Sequence, residues 1–275
     1  MEWIIISAIT LFTVIGISKK IRRAKSTNFI KPVEYDEIQY PSDIGERSIY
    51  AEIKYFDNNA KIIHNAYIPI GNGYFSEIDL IYINHCGIIV IESKNYSGSI
   101  YGDENREYWS QYFKTKNGKF YNPIKQNQKH INHLRRYLDR YDTGPYLKCH
   151  SVIVFGNMSE LRNVYFTSPD VYVINEWNLN DLLCILSEIN EHILSEFQVN
   201  DIYQRLFLTS QRTDEFKMKH VANVQEYLKL CPLCRNKLVE RVNTMSNSTM
   251  FYGCSAFPRC KYTRSIEYNQ YSRYN

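Results

Sequence analysis

Ile78-Asp79-Leu80-Ile81-Tyr82-Ile83-Asn84-His85-Cys86-Gly87-Ile88-Ile89-Val90-Ile91-Glu92-Ser93-Lys94 decides the fold. Ile78 to Ile83 and Gly87 to Glu92 read as strands, with Asn84-His85-Cys86-Gly87 between them as a hairpin signal. A turn symmetric about His85 and Cys86 sets Asp79 opposite Glu92. Directly opposed side chains have Cβ atoms about 4.5–5.5 Å apart, and like charges placed so are destabilising. A divalent cation is the obvious offset. On this reading, removing Glu92 without metal present holds or raises stability. Glu92 and Lys94 lie two residues apart and share a strand face, while Ile88 and Val90 carry the same strand into a core. An ionic pair at the end of a buried strand suggests a site; the plainer reading is a solvated strand end with a weak exposed ion pair.

Outward from the hairpin, Glu46 to Phe56 has helical spacing, with Ile49, Ile53 and Phe56 apolar. Lys61 to Ile70 is β-rich and closes on Gly71-Asn72-Gly73. Pro123 to Tyr141 is a helix starting at Pro and carrying Ile124, Ile131, Leu134 and Leu138. Ser151–Phe155 and Val171–Ile174 are further strands. Helical stretches follow near 179–194 and 201–208, and 214–229 reads as a connecting helix. The order is α-β-β-β-α-β followed by helices, an α/β class. Ordinary apolar and charged contents of 44% and 23% exclude a disordered chain. The net charge of +4 is too small to identify a partner, so any nucleic-acid argument rests on where the charge sits.

Trp3 to Ile17 carries no charge, and Lys19, Lys20, Arg22, Arg23 and Lys25 follow at once. An apolar stretch of that length spans about 22 Å as a helix, short of the roughly 30 Å hydrocarbon core. Lysine snorkelling and local thinning make up the difference. A cleaved signal peptide has its positive charges before the apolar run; here they come after. The reading is a single-pass membrane anchor over residues 1–25, with the bulk of the chain cytoplasmic, then a linker over 26–43.

Gly45-Glu46, Glu77-Ile78-Asp79, Ile91-Glu92-Ser93-Lys94-Asn95-Tyr96-Ser97-Gly98 and Asn122-Pro123-Ile124-Lys125-Gln126 together resemble the nuclease-related domain (NERD) family. That family is a branch of the restriction-endonuclease-like PD-(D/E)xK superfamily. The resemblance covers about 44–157, leaving 158–228 as a strand and helical extension. It implies an αβββαβ core and metal-dependent phosphodiester hydrolysis. Ser93 departs from the pattern, since an apolar residue, often Val, is usual there; a backbone carbonyl serves a metal equally well. On this footing Asp79, Glu92 and the Ser93 carbonyl offer hard oxygens to Mg²⁺ or Mn²⁺, and Lys94 holds or activates the attacking water. Glu46 is read two ways, as a metal ligand or as a helix-start carboxylate favoured by the dipole. Gln126 either bridges Lys94 or a phosphate, or lies on an exposed face. Lys125, Lys129, Arg135, Arg136 and Arg140 form a basic helix, a DNA contact or a solvated face. His130 and His133 are expected at the surface, and Cys149 in the core.

Seven cysteines, an odd number, argue against a secreted disulfide framework and for a reducing compartment. Cys231, Cys234, Cys254 and Cys260 have the spacing of two knuckles closing a tetrahedral structural Zn²⁺ site. Lys237–Val242 and Met250–Tyr252 are expected to form a ribbon hairpin. Lys229, Arg235, Lys237, Arg241, Arg259, Lys261 and Arg264 face only Glu240 in charge, with Phe251, Tyr252, Phe257 and Tyr262 interleaved. Cations for phosphates and rings for bases suit single-strand binding, although a small ribbon also uses aromatics to cover its core. Cys231-Pro232-x-Cys234, Gly253-Cys254-Ser255, Phe257-Pro258-x-Cys260 and Tyr262-Thr263 resemble the C4 zinc finger of bacterial type I DNA topoisomerases, with Arg235-Asn236 in place of the usual Gly pair. This resemblance implies DNA binding, often single-stranded, over 229–264. The sequence thus reads as a membrane-anchored, metal-dependent nuclease with a DNA-holding zinc ribbon. The alternative is a non-catalytic membrane-tethered DNA-binding protein.

Overall fold

The computed structural model describes residues 43–114, 116–141, 147–189, 192–212, 214–231, 233–242 and 250–265. The expected anchor over 1–25 and the linker up to residue 42 lie outside them. Among the described residues no helix is long and apolar enough to cross a membrane.

Helix α1 (Ile44–Phe56) leads into strands β1 (Lys61–Gly71), β2 (Tyr74–Asn84) and β3 (Gly87–Lys94). Its start is fixed by Asp43, whose Oδ1 accepts from the Gly45 and Glu46 amides at 2.8 and 3.2 Å, satisfying two donors that a helix leaves open. Three strands that the sequence reading missed come next: β4 (Gly98–Asp103), β5 (Tyr108–Phe113) and β6 (Lys116–Tyr121). The chain then forms α2 (Pro123–Leu138), β7 (Cys149–Phe155), β8 (Ser159–Tyr165) and β9 (Val171–Asn175). Helices α3 (Leu179–Ile189), α4 (Glu196–Ser210) and α5 (Asp214–Leu228) precede the ribbon strands β10 (Leu238–Val242), β11 (Met250–Cys254) and β12 (Thr263–Ser265). The expected α-β-β-β-α-β order is therefore present, interrupted by an inserted meander.

The main sheet has the order β1-β2-β3-β7-β9, antiparallel through β3 and parallel from β3 to β9. One face packs Ile63, Ile81, Ile88 and Val90 against Ile131 and Leu134 of α2 and Ile202 and Leu206 of α4. The other packs Leu80, Ile89, Ile91 and Val152 against Ile49 and Ile53 of α1 and Leu183 of α3. With both faces covered, every residue of β3 is buried, which explains its unbroken apolar run.

A second sheet, β6-β5-β4-β8, turns its inner face to the main sheet around Ile100, Trp109, Phe120, Ile153 and Phe155. Gly102 is required there: a Cβ would sit 2.1 Å from the Trp109 ring. Residues 159–165, expected as part of an extension, form the β8 edge of this sheet.

The hairpin register follows the symmetric turn, from Asn84↔Gly87 to Leu80↔Ile91. There the ladder stops. Ile78 and Ile81, three residues apart, belong to the same core cluster, so β2 reverses its faces across Asp79. Opposite this point in β1, Asn65 has φ +50° between the pairs His64↔Leu80 and Ala66↔Ile78. The two strands kink together, and Asp79 is released from the ladder.

Candidate active site and zinc ribbon

The kink gives Asp79 a partner other than a facing carboxylate. Its Oδ2 accepts the Ser93 amide of β3 at 2.8 Å, so a side chain takes the hydrogen bond where the ladder ends. Glu92, 1% exposed, accepts at Oε1 from Lys94 Nζ at 2.6 Å and from Gln126 Nε2 at 2.8 Å. Gln126 Oε1 in turn accepts from Lys94 Nζ at 3.1 Å. The three side chains close a triangle. Lys94 is 9% exposed, so the solvated strand end is excluded. A charge at that depth persists only with a charged and hydrogen-bonded partner. The bare like-charge opposition expected from the hairpin is accordingly corrected: Glu92 is balanced by Lys94, and Asp79 by a backbone amide.

Two more groups join this site. Glu46, 3% exposed, enters from the first turn of α1. The start of that helix lies so close to β3 that a Cβ on Gly45 would come 3.2 Å from Ser93 Oγ. His130 reaches in from α2, four residues after Gln126, and the expectation that it lies at the surface is wrong. Its Nδ1 lies 2.8 Å from Ser76 Oγ, and its Nε2 is 3.5 Å from Glu92 Oε2. Nε2 is buried and lacks a hydrogen-bond partner. Burial holds the imidazole below its usual pKa; Glu92, Asp79 and Glu77 pull it up, and Lys94 pushes it down. The neutral ring with the proton on Nε2 suits this setting, with the Ser76 hydroxyl donating to Nδ1. The i, i+4 spacing from Gln126, which sets both side chains on one helix face, is the signal that could have marked His130.

Glu77 borders the site and accepts from Tyr67 Oη at 2.9 Å. Burial first, then Glu77 and Glu46, hold the Tyr67 phenol far above its usual range. Across Glu77, α5 docks by Phe216 and His220, whose rings meet Tyr67 edge-on at 5.4 and 5.2 Å. On the basic helix, Lys125 donates to the Asn105 carbonyl and Lys129 lies over the Tyr121 ring. His133, expected at the surface, is half-buried; Cys149 lies in the core as expected.

Glu46, Asp79 and Glu92 offer the hard oxygens that Mg²⁺ or Mn²⁺ takes, and the orphaned His130 Nε2 beside Glu92 fits a site that receives a further group. Among the described residues, however, only Cys231, Cys234, Cys254 and Cys260 bring three or more ligand atoms within 4.8 Å of one another. Sγ–Sγ distances there are 3.6 Å for Cys231–Cys260 and 3.3 Å for Cys234–Cys254. A tetrahedron with Zn–S of about 2.3 Å has edges of roughly 3.8 Å, so the quartet fits zinc. Around it pack Leu238, Tyr252 and Tyr262. These two tyrosines are thus largely ribbon core. Arg235, Lys237, Phe257 and Lys261 are exposed and Phe251 is half-buried, and Arg241 lies over the Phe257 ring. Arg235 occupies the left-handed region at φ +60°, which accounts for the glycine usual at this turn.

This α/β domain with a buried Glu-x-Lys strand end, followed by a four-cysteine ribbon, defines the class. Residues 42–156 match the model of the nuclease-related domain, and residues 229–269 match that of the topoisomerase DNA binding C4 zinc finger. The chain carries both domains. It is also similar to an uncharacterized protein of Bacillus anthracis, 29% identical over 160 residues that make up 58% of this chain and 72% of that one. No solved structure matches it.

Proposed function

We propose that this chain is a metal-dependent nuclease acting on DNA at the Glu92 end of β3. In this reading the zinc ribbon holds the nucleic acid, and residues 1–25 anchor the chain in a membrane with its bulk on the cytoplasmic side. The observation that carries the proposal is the buried Glu92–Lys94–Gln126 triangle with Asp79, Glu46 and His130 around it, in a nuclease-related domain. Asp79, Glu92 and the Ser93 carbonyl would hold Mg²⁺ or Mn²⁺, with Glu46 nearby. A metal bound there supplies a water of lowered pKa and neutralises charge on the phosphate.

The chain's own groups do the rest. Lys94 places a fixed ammonium beside the scissile phosphate and orients the attacking water. Gln126 holds both Lys94 Nζ and Glu92 Oε1, so the two cannot drift apart. His130, held by Ser76, places its Nε2 3.5 Å from the second oxygen of Glu92. The uncharged run from Trp3 to Ile17 with its trailing cations supports the anchor and its orientation.

A second reading, a tethered DNA-binding protein without turnover, is favoured by the Lys94–Glu92 pairing and by carboxylates not drawn together. The test is incubation of the full chain in detergent with single- and double-stranded DNA and RNA, with Mg²⁺ or Mn²⁺. Cleavage that Glu92→Gln and Lys94→Met both abolish, with nucleic-acid binding retained, supports the nuclease. Binding without cleavage under either metal supports the second reading, and cleavage surviving both substitutions defeats the site.

A further inference from the structure

We infer that the outward face of the inserted sheet is a stacking platform for a single strand of nucleic acid, separate from the ribbon and adjoining the cleavage site. This rests on the proposal that the chain acts on nucleic acid. The inner face of β4, β5 and β6 is given over to Ile100, Trp109 and Phe120. Strand alternation sends the intervening residues outward. In register across the sheet, those are Tyr101↔Ser110, Ser99↔Tyr112, Ser110↔Lys119 and Tyr108↔Tyr121. On β8, Tyr165 continues the row, paired with Asp103. Tyr112 is 48% exposed and Tyr165 65%.

The chemistry of this face selects its ligand. No aliphatic side chain stands among these outward positions. Rings alternate instead with hydroxyls, an amide and lysine, the mixture that base stacking and phosphate contact need. Tyr101 and Tyr112 lie 5.3 Å apart and Tyr108 and Tyr121 6.3 Å apart, so the rings form two clusters across the sheet. The acidic groups are already engaged. Asp103 caps its own turn through the Asn105 amide, and Glu160 pairs with Arg162 at 2.8 Å. Lys119 is left exposed on the face, which favours an anionic ligand over a neutral glycan.

The platform is also continuous with the site. Lys129, the neighbour of His130 on α2, extends its ammonium over the Tyr121 ring, 4.5 Å from the centroid. Phosphates following the rings therefore meet Lys129 on the helix that delivers Gln126 and His130 to Glu92.

The test is equilibrium binding of a labelled oligothymidylate of about twelve nucleotides to the full chain with no divalent metal added, so that cleavage plays no part. The expected result is about a tenfold loss of affinity for Tyr101→Ala/Tyr112→Ala and near wild-type affinity for Tyr101→Phe/Tyr112→Phe. Unchanged affinity of the alanine variant overturns the inference, as does an equal loss in the phenylalanine variant, since hydroxyls rather than rings would then be responsible. Photocrosslinking of an iodouracil-substituted strand to wild-type chain guards against misfolded variants. Adducts at Tyr101, Tyr112 or Tyr165 support the platform, and adducts confined to the ribbon overturn it. A chain that crosslinks on the sheet yet cuts nothing defeats the nuclease reading alone. One that cuts single strands with the alanine variant binding unchanged defeats the platform alone.

Discussion

Lys94 and Glu92 hold each other at a depth where neither is stable alone. Glu92→Ala strands the ammonium with Gln126 as its remaining named partner, and removing one member of a buried pair costs about 3–5 kcal/mol. Denaturant unfolding without divalent metal is expected to show a loss of that order. The opposed-carboxylate reading gives the opposite sign, a gain or no change. His130 carries a pH dependence. Burial keeps its folded pKa below the unfolded value of about 6.5, so the unfolded chain binds the extra proton first. Its contribution to stability is full above about pH 6.5 and is lost as pH falls toward the folded pKa. His133, His150 and His220 are depressed likewise. Melting temperatures measured from pH 7 to 5 are expected to fall less steeply in His130→Gln than in the wild type, without becoming flat. At this scale the Glu-x-Lys pair was legible because two residues on one strand must share a face. His130 was not, because a histidine among lysines and arginines reads as solvated until the helix face beneath it is known.

Asn122 joins two elements that the site requires to be in register. Its Oδ1 accepts from the Ile124 and Lys125 amides and so starts α2. Its Nδ2 donates to the Asp103, Glu104 and Arg106 carbonyls at 3.1, 3.0 and 2.7 Å. The side chain is fully buried. Asn122→Ala removes a cap worth about 1 kcal/mol and leaves buried carbonyls unpaired, for a total loss of about 3 kcal/mol. Because the same helix carries Gln126 and His130, any cleavage should drop further than the stability change explains; kcat measured well below the melting transition checks this. The hairpin register was readable from its short turn alone. The meander of β4 to β6 was not, since each strand turns one or two large apolar residues inward and dresses the outer face with Tyr and Ser. Without an aliphatic run, such alternation looks like loop. The kink at Asp79 also escaped the sequence, because a reversal of strand faces leaves the register of the flanking pairs intact.

The ribbon has a core of its own around the four cysteines, separate from the clusters that bury the main sheet. Zinc should therefore govern one part of the molecule only. Metal analysis is expected to give one Zn²⁺ per chain. Cys254→Ser, or a strong chelator, should abolish zinc binding and weaken DNA affinity and its salt dependence, while the unfolding transition of the nuclease-related domain stays in place. Removing residues 1–25 should move the protein from the membrane fraction to the soluble one; a full-length chain already soluble without detergent would refute the anchor. The central place of β3 has a further consequence, for synthesis. Its pairing with β2 closes across a short turn, but its parallel partner β7 follows only after β4, β5, β6 and α2. At about 5–20 residues per second, the ribosome leaves the far edge of Ile88–Ile91 uncovered for several seconds. An apolar edge in waiting is a template for neighbouring nascent chains. The yield of folded protein is then decided by how fast translation delivers β7, and slowing synthesis between residues 95 and 148 should increase aggregation even though the finished fold is unchanged.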